Sequence, residues 1–205
     1  MAQSTDRSGR GGVSRRAFLK GSGAAAAATA MATRPAAVEA APVGAKVIKG
    51  ATTISLNVNG KTHKVRVEPR TTLLEVLRYQ LDLTGAKPVS LDGSSGASTV
   101  IVDGRPVMAS TTLAVAAAGK KIQTVESLGG DRPDPVVQCF VDHDAQQCGF
   151  CTPGFVVAVR AFLNKNPRAG EAAVRKGLSG NVCRCGTYDN VIRAALAVVK
   201  GGGNG

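Results

Sequence analysis

The stretch "QCGFCTPGF", residues 147–155, sets two cysteines three positions apart and follows them at once with Thr-Pro-Gly. Thr152 is a favoured N-cap and Pro153 suits a first helical position, so this text predicts a helix starting directly behind Cys148 and Cys151. The arrangement recurs in "NVCRCGTYDN", residues 181–190, where Cys183 and Cys185 stand ahead of Gly186 and a second N-cap, Thr187. Together the four cysteines read C-x2-C-x31-C-x-C, a soft thiolate set suited to zinc or to an iron–sulfur cluster. Two helix N-termini would turn free N–H groups and positive dipole ends toward the same sulfurs, which favours an anionic centre. A 2Fe-2S core with four thiolates is such a centre, and Arg184, between two of the cysteines, offsets part of its charge. Zinc fits the spacing too, and two disulfides would fit an oxidising compartment. The fifth cysteine, Cys139, lies in an apolar helical stretch and reads as a buried, inert thiol.

Outward from these pairs the text stays helical. "PVVQCFVDHDAQQ", "PGFVVAVRAFLNKN", "GEAAVRKGL" and "YDNVIRAALAVVK" each repeat apolar residues at three and four, which predicts an all-α four-helix domain over residues 132–205. So few residues bury a modest core, and a metal centre holding the helix ends would add stability. "GGDRPDP" before it reads as a linker. Upstream, Ile54, Leu56 and Val58 alternate, "NGK" at Asn59 to Lys61 supplies a tight turn, and Val65 and Val67 resume the period of two. A helix carries Leu73, Leu74, Leu77 and Leu81 on one face with Gly85 as its stop. "TVIVDGRPV" gives a further hairpin and "KKIQTVESL" a last strand, completing a small α+β, ferredoxin-like domain over residues 46–126.

Between that helix and the second hairpin runs "SLDGSSGAST", residues 90–99, with the glycine rhythm of a loop that wraps a ligand. Ser90, Ser95 and Ser98, with Ser110 beyond the turn, repeat the C-x4-C-x2-C…C spacing of plant-type ferredoxins with serine in every ligand position. A serine hydroxyl gives up its proton far less readily than a thiol, so four serines are a poor cluster cage.

The first forty residues are not part of either domain. A polar basic start, "SRRAFLK" from Ser14 to Lys20, the apolar run from Gly21 to Ala32, and Val38 and Ala40 in a small-residue cleavage text follow the order of an export signal, and Arg15-Arg16 gives it twin-arginine character. The apolar run is much shorter than the about 20 residues of a membrane span, so any membrane association runs through export or an uncleaved signal. This leader holds six basic and two acidic residues, so +8 of the formal +12 belongs to residues 41–205. Export, together with two Tyr, five Phe and no Trp, argues against a nucleic-acid partner and leaves an acidic protein partner or an anionic membrane surface as the better match for the charge.

"VDHDAQQCGFCTPGF" and "LSGNVCRCGTYDNVIRAA", with "ISLNVNGKTHKV", "TTLLEVLRYQLDLTGAK" and "TVIVDGRPV", resemble the small iron–sulfur subunits of the molybdenum hydroxylases, the group that includes xanthine dehydrogenase, carbon monoxide dehydrogenase and periplasmic aldehyde oxidoreductases. The resemblance implies an α+β chain in which a β-grasp ferredoxin-like domain precedes a four-helix 2Fe-2S-binding domain, and it implies Cys148, Cys151, Cys183 and Cys185 as ligands of the helical cluster. It implies that Gln147 and Cys185 face a molybdopterin cofactor held by a separate large subunit. It also implies that Ser90, Ser95, Ser98 and Ser110 occupy lost ligand positions of a second cluster, and the unusual lead-in of Pro88, Val89 and Leu91 fits drift. The function implied is electron transfer through one 2Fe-2S cluster in an exported, periplasmic oxidoreductase, from the large subunit to an external acceptor such as a cytochrome. The alternatives are a structural or export escort whose metal centre passes no electrons, and a free-standing ferredoxin. His63 and His143, the only two histidines, form no catalytic constellation.

Overall fold

Asn59 and Gly60 both take left-handed backbone, with φ of 52° and 79°, and close a two-residue turn between β1 (Thr52–Val58) and β2 (Lys61–Val67). Asp103 and Gly104, at 47° and 75°, do the same between β3 (Thr99–Val102) and β4 (Arg105–Met108). In this computed structural model, which describes residues 14–20 and 47–201, the two hairpins are joined by β5 (Lys121–Gln123). β5 runs parallel to β1 through Val58↔Ile122 and antiparallel to β3 through Val102↔Ile122, so the sheet order is β2-β1-β5-β3-β4, a β-grasp arrangement.

The helix crossing this sheet is α1 (Leu73–Glu75), which continues as a π-helical turn over Val76–Gln80. Leu73, Leu74 and Leu77 pack with Leu56, Val58, Val65, Val67, Val100 and Ile122 in one core. The helix does not reach Gly85. Leu83 N–H reaches back to Leu77 O at 2.8 Å and Asp82 supplies the left-handed residue, φ 55°, so the chain turns three residues early. Gly85 serves close approach instead, because a Cβ there would lie 2.2 Å from Val125 Cγ1.

At the start of α1, Thr72 and Glu75 form a reciprocal cap. Thr72 Oγ1 accepts Glu75 N–H at 3.2 Å, and Glu75 Oε2 accepts Thr72 N–H at 2.7 Å. That amide, and then the Thr72 hydroxyl, hold the Glu75 carboxyl below its ordinary value of 4.5. Thr72→Ala is expected to cost about 1 kcal/mol at pH 7. Because the folded-state value is depressed, the carboxylate's share is present above pH 4.5 and lost as pH falls through the folded value. Urea unfolding at pH 7 and pH 3 should therefore show the gap between variant and wild type narrowing in acid; an unchanged gap refutes the reading.

Behind the sheet come α2 (Pro135–Asp142), α3 (Thr152–Lys165), α4 (Glu171–Gly177) and α5 (Tyr188–Lys200). Asp134 caps α2 by accepting Val136 N–H at 2.8 Å, and its carboxylate also pairs with Arg160 of α3, which is 8% exposed. A second core joins Val136, Phe140, Phe155, Val159, Val174, Val191 and Ala195. Every residue of β3 is buried, because Val100 and Val102 face α1 while Ile101 packs on Val157 and Ala161 of α3. Ile48–Gly205 forms one compact unit. In the leader a helix spans 15–20, and Ser14 Oγ accepts Ala17 N–H at 3.1 Å. The expected apolar run and cleavage text lie outside the described residues.

Candidate metal centre

The loops carrying the cysteine pairs turn on Gly149 and Gly186, with φ of 81° and 82° and open space where a Cβ would stand, so glycine is there for backbone conformation alone. Each turn delivers its cysteines to a helix start. Cys151 is itself the N-cap of α3, one position earlier than the sequence suggests, and Thr152 is the first helical residue. Its Oγ1 is buried with no hydrogen-bond partner, a polar orphan directly beside a candidate ligand. Thr187 is the N-cap of α5, as expected, yet its hydroxyl bonds no helix amide and instead lies 3.2 Å from Cys183 Sγ.

The four thiols gather as two pairs. Cys148 and Cys185, both exposed, shift each other's ionisation, and the half-buried Cys151 and the buried Cys183 do the same. Cys151 and Cys148 also feel the charge of Cys183, so the pairs belong to one electrostatic group. Within each pair one thiol is the easier to ionise. Burial resists ionisation of Cys183, but the Thr187 hydroxyl and amide, the Cys151 thiol and the Cys185 amide outweigh it and bring its pKa to about 7. Cys151 is pushed up to about 12 by burial first, then by its bond to Cys183 and the charges of Cys183 and Cys148. The Phe150 amide, followed by the Cys185 thiol, lowers Cys148. The Cys148 amide pulls Cys185 down, yet the Cys148 sulfur, burial and the neighbouring charges together leave it raised. Four thiolates this close repel one another unless cationic metal lies between them, and binding such metal expels their protons.

Cys183 is further fixed from behind. Its N–H donates to the Tyr188 hydroxyl at 2.8 Å, and the Tyr188 ring meets buried Phe155 edge-on, centroids 6.1 Å apart. Gln147 is exposed beside Cys148, and Arg184 is exposed between Cys183 and Cys185. Cys139 lies in α2 as a half-buried free thiol, its pKa raised by burial and by Asp142. Among the described residues, no group of three or more His, Cys, Asp or Glu is placed to hold a single metal ion. Four thiols that alter one another's ionisation at two helix starts suit a centre ligated by four thiolates, which both a two-iron core and a tetrahedral zinc provide.

The serine loop is also built of pairs. Ser90 and Ser95 hydroxyls stand 2.7 Å apart, and the buried Ser98 and Ser110 hydroxyls 3.0 Å apart. Ser95 N–H donates to Ser90 Oγ at 3.0 Å and Ser110 N–H to Ser98 Oγ at 3.3 Å, so the hydroxyls satisfy the loop's own backbone. The same loop is clamped onto the cysteine-bearing segments. Val182 N–H donates to Ser95 O at 2.9 Å, and the Asn181 side-chain amide donates to Gly96 O at 2.9 Å. A Cβ at Gly154 would lie 2.5 Å from Gly96 O. Neither this clamp nor the parts of Thr187 and Tyr188 is visible in sequence; the only signal is the recurrence of small residues at Gly96, Gly154 and Gly180.

Residues 124–196 match the 2Fe-2S binding domain family, and residues 12–32 match the twin-arginine translocation signal. The chain is 38% identical over 149 residues to the nicotinate dehydrogenase small FeS subunit of Eubacterium barkeri, covering 72% of this chain and 95% of that protein. It is 38% identical over 202 residues to the aldehyde oxidoreductase iron-sulfur-binding subunit PaoA of Escherichia coli, covering 89% and 86%. The crystal structure of quinoline 2-oxidoreductase from Pseudomonas putida 86 superposes with a TM-score of 0.69 at 38% identity, over 75% of this chain and 99% of that one. With two thiol pairs at two helix starts, a β-grasp sheet before them and relatives matched over nearly their whole length, the chain belongs to the small 2Fe-2S subunits of the molybdenum hydroxylase family.

Proposed function

We propose that this chain carries electrons within an exported molybdopterin-dependent oxidoreductase, taking them from a large subunit's molybdenum site through one 2Fe-2S cluster to an external acceptor such as a cytochrome. One observation carries the reading: the loops ahead of α3 and α5 bring Cys148, Cys151, Cys183 and Cys185 close enough for each to alter the ionisation of its neighbours. When bound there, the cluster supplies a reversible one-electron carrier. The chain's own residues do the rest. Cys148, Cys151, Cys183 and Cys185 would hold the cluster through their thiolates. The helix starts direct amides and positive dipole ends toward the thiolates, stabilising negative charge. Gln147 and the exposed Cys185 meet the pterin of the partner, while buried Cys183 keeps one side of the centre from water.

In this reading residues 1–40 are the twin-arginine signal, 46–126 the β-grasp domain with its cluster site lost, and 132–205 the helical cluster domain. The twin-arginine route, which the matched signal supports, gives a periplasmic or otherwise exported location. Among the described residues no helix is long and apolar enough to cross a membrane. Ser90, Ser95, Ser98 and Ser110 stand in the lost ligand positions, and their mutual hydrogen bonds support a loop that folds without metal.

The native complex tests this. It should contain about two irons and two sulfides per copy of this chain, as one centre held by four cysteines requires, and substrate should reduce that centre to a single paramagnetic signal. About four irons, or none, overturns the single-cluster reading; a centre that stays oxidised during turnover makes the chain an escort.

A further inference from the structure

Thr187 is an N-cap that does not cap. A threonine in that position ordinarily gives its side-chain oxygen to an amide of the first turn, worth about 1 kcal/mol. Here no such bond forms, and the hydroxyl instead sits 3.2 Å from Cys183 Sγ. A thiolate can only accept, so with Cys183 ionised the hydroxyl is the donor. Cys183 N–H is already committed to the Tyr188 hydroxyl at 2.8 Å, which fixes the cysteine backbone against a ring packed on Phe155. Cys183 is also the most buried of the four thiols. A hydrogen bond delivered to sulfur in a site shielded from water carries more electrostatic weight than one at the surface.

Resting on the electron-transfer reading above, we propose that Thr187 is a positioning residue that sets the reduction potential of the centre by donating its hydroxyl hydrogen bond to Cys183 Sγ. The logic is differential. Adding one electron makes the ligand sulfurs more negative, and a fixed donor stabilises the electron-rich state more than the electron-poor one. The hydroxyl therefore raises the potential and makes the centre easier to reduce by its partner. No bond to Thr187 forms or breaks, and the proton stays on its oxygen; only one electron moves. Hydrogen bonds to cluster sulfurs are among the levers that tune such potentials.

The test is a redox titration of the purified complex, followed by electron paramagnetic resonance, with dithionite as reductant and ferricyanide as oxidant. Thr187→Val keeps the branched shape and removes the donor. It is expected to lower the reduction equilibrium about tenfold, which is 59 mV for a one-electron couple. Thr187→Ser restores the donor and should restore the potential. Iron content and the shape of the signal should stay as in wild type, which a merely structural effect would not predict. If valine leaves the potential in place while the centre is loaded, the proposal fails and the electron-transfer reading stands. If wild type itself shows no reducible iron signal, that reading fails instead. Should the valine chain load no iron, Thr187→Ala takes its place; loss of iron from both, with serine loading normally, also overturns the proposal, because the hydroxyl would then hold the site together and not tune it.

Discussion

A Cys183→Ser chain folds but carries less than about a tenth of the wild-type iron and sulfide, because a serine hydroxyl supplies neither the soft donor nor the ready ionisation that the site demands. Cys183 is the thiol with pKa near 7, the one of its pair that ionises first, and it is 6% exposed, so water cannot stand in for the missing sulfur. Binding energy of the centre is also folding energy for the helices it joins. The melting temperature of the helical part should therefore fall with the iron. Cys139→Ala is the control, since that thiol lies in α2 and hydrogen-bonds to none of the four. Iron and sulfide analysis beside a circular-dichroism melt reads both effects, and wild-type iron in Cys183→Ser would remove this cysteine from the site.

Gly154→Ala should be nearly as damaging, against the sign that helix propensity assigns it. In an exposed helix the change would stabilise by up to about 1 kcal/mol. Within α3, however, the new Cβ would stand 2.5 Å from Gly96 O and 3.0 Å from Ala97 Cα, both backbone atoms that no rotamer change can move. Overpacking of that kind costs about 2 kcal/mol or more, or about 4–8 °C in Tm for a chain of this size. The strain also falls on the bonds from Asn181 and Val182 to the serine loop, directly ahead of Cys183. Hydrogen exchange at Val182 N–H should accelerate with the loss of stability. A variant as stable as wild type, with that amide still protected, would show the junction to be looser than its distances indicate.

Local chemistry is legible in the sequence; contacts between distant segments are not. The Asn59-Gly60 and Asp103-Gly104 turns follow from two residues each, since few others adopt left-handed backbone twice in succession. The four helices behind the sheet follow from apolar spacing, and the cysteine pairs from their position ahead of helix starts. The misreadings share one cause. Gly85 reads as a helix stop because glycine usually is one, but Leu83 packs against the core by bending back to Leu77, and Asp82 bears the left-handed turn. Thr152 reads as an N-cap because it precedes Pro153, yet the loop conformation gives that place to Cys151. Thr187 holds its expected position, but a sulfur four residues upstream takes its hydroxyl. In the serine loop the spacing of Ser90, Ser95, Ser98 and Ser110 is readable, whereas the pairing of their hydroxyls depends on a fold that brings Ser110 back beside Ser98.

The rims of the sheet carry a last consequence. β2, at one margin, exposes Lys61, Lys64 and Arg66, and β4, at the other, contains Pro106, which has no N–H to offer. Neither margin welcomes a foreign strand. Among the described residues, charge along one rim and a missing donor on the other work against edge-to-edge stacking of crowded copies.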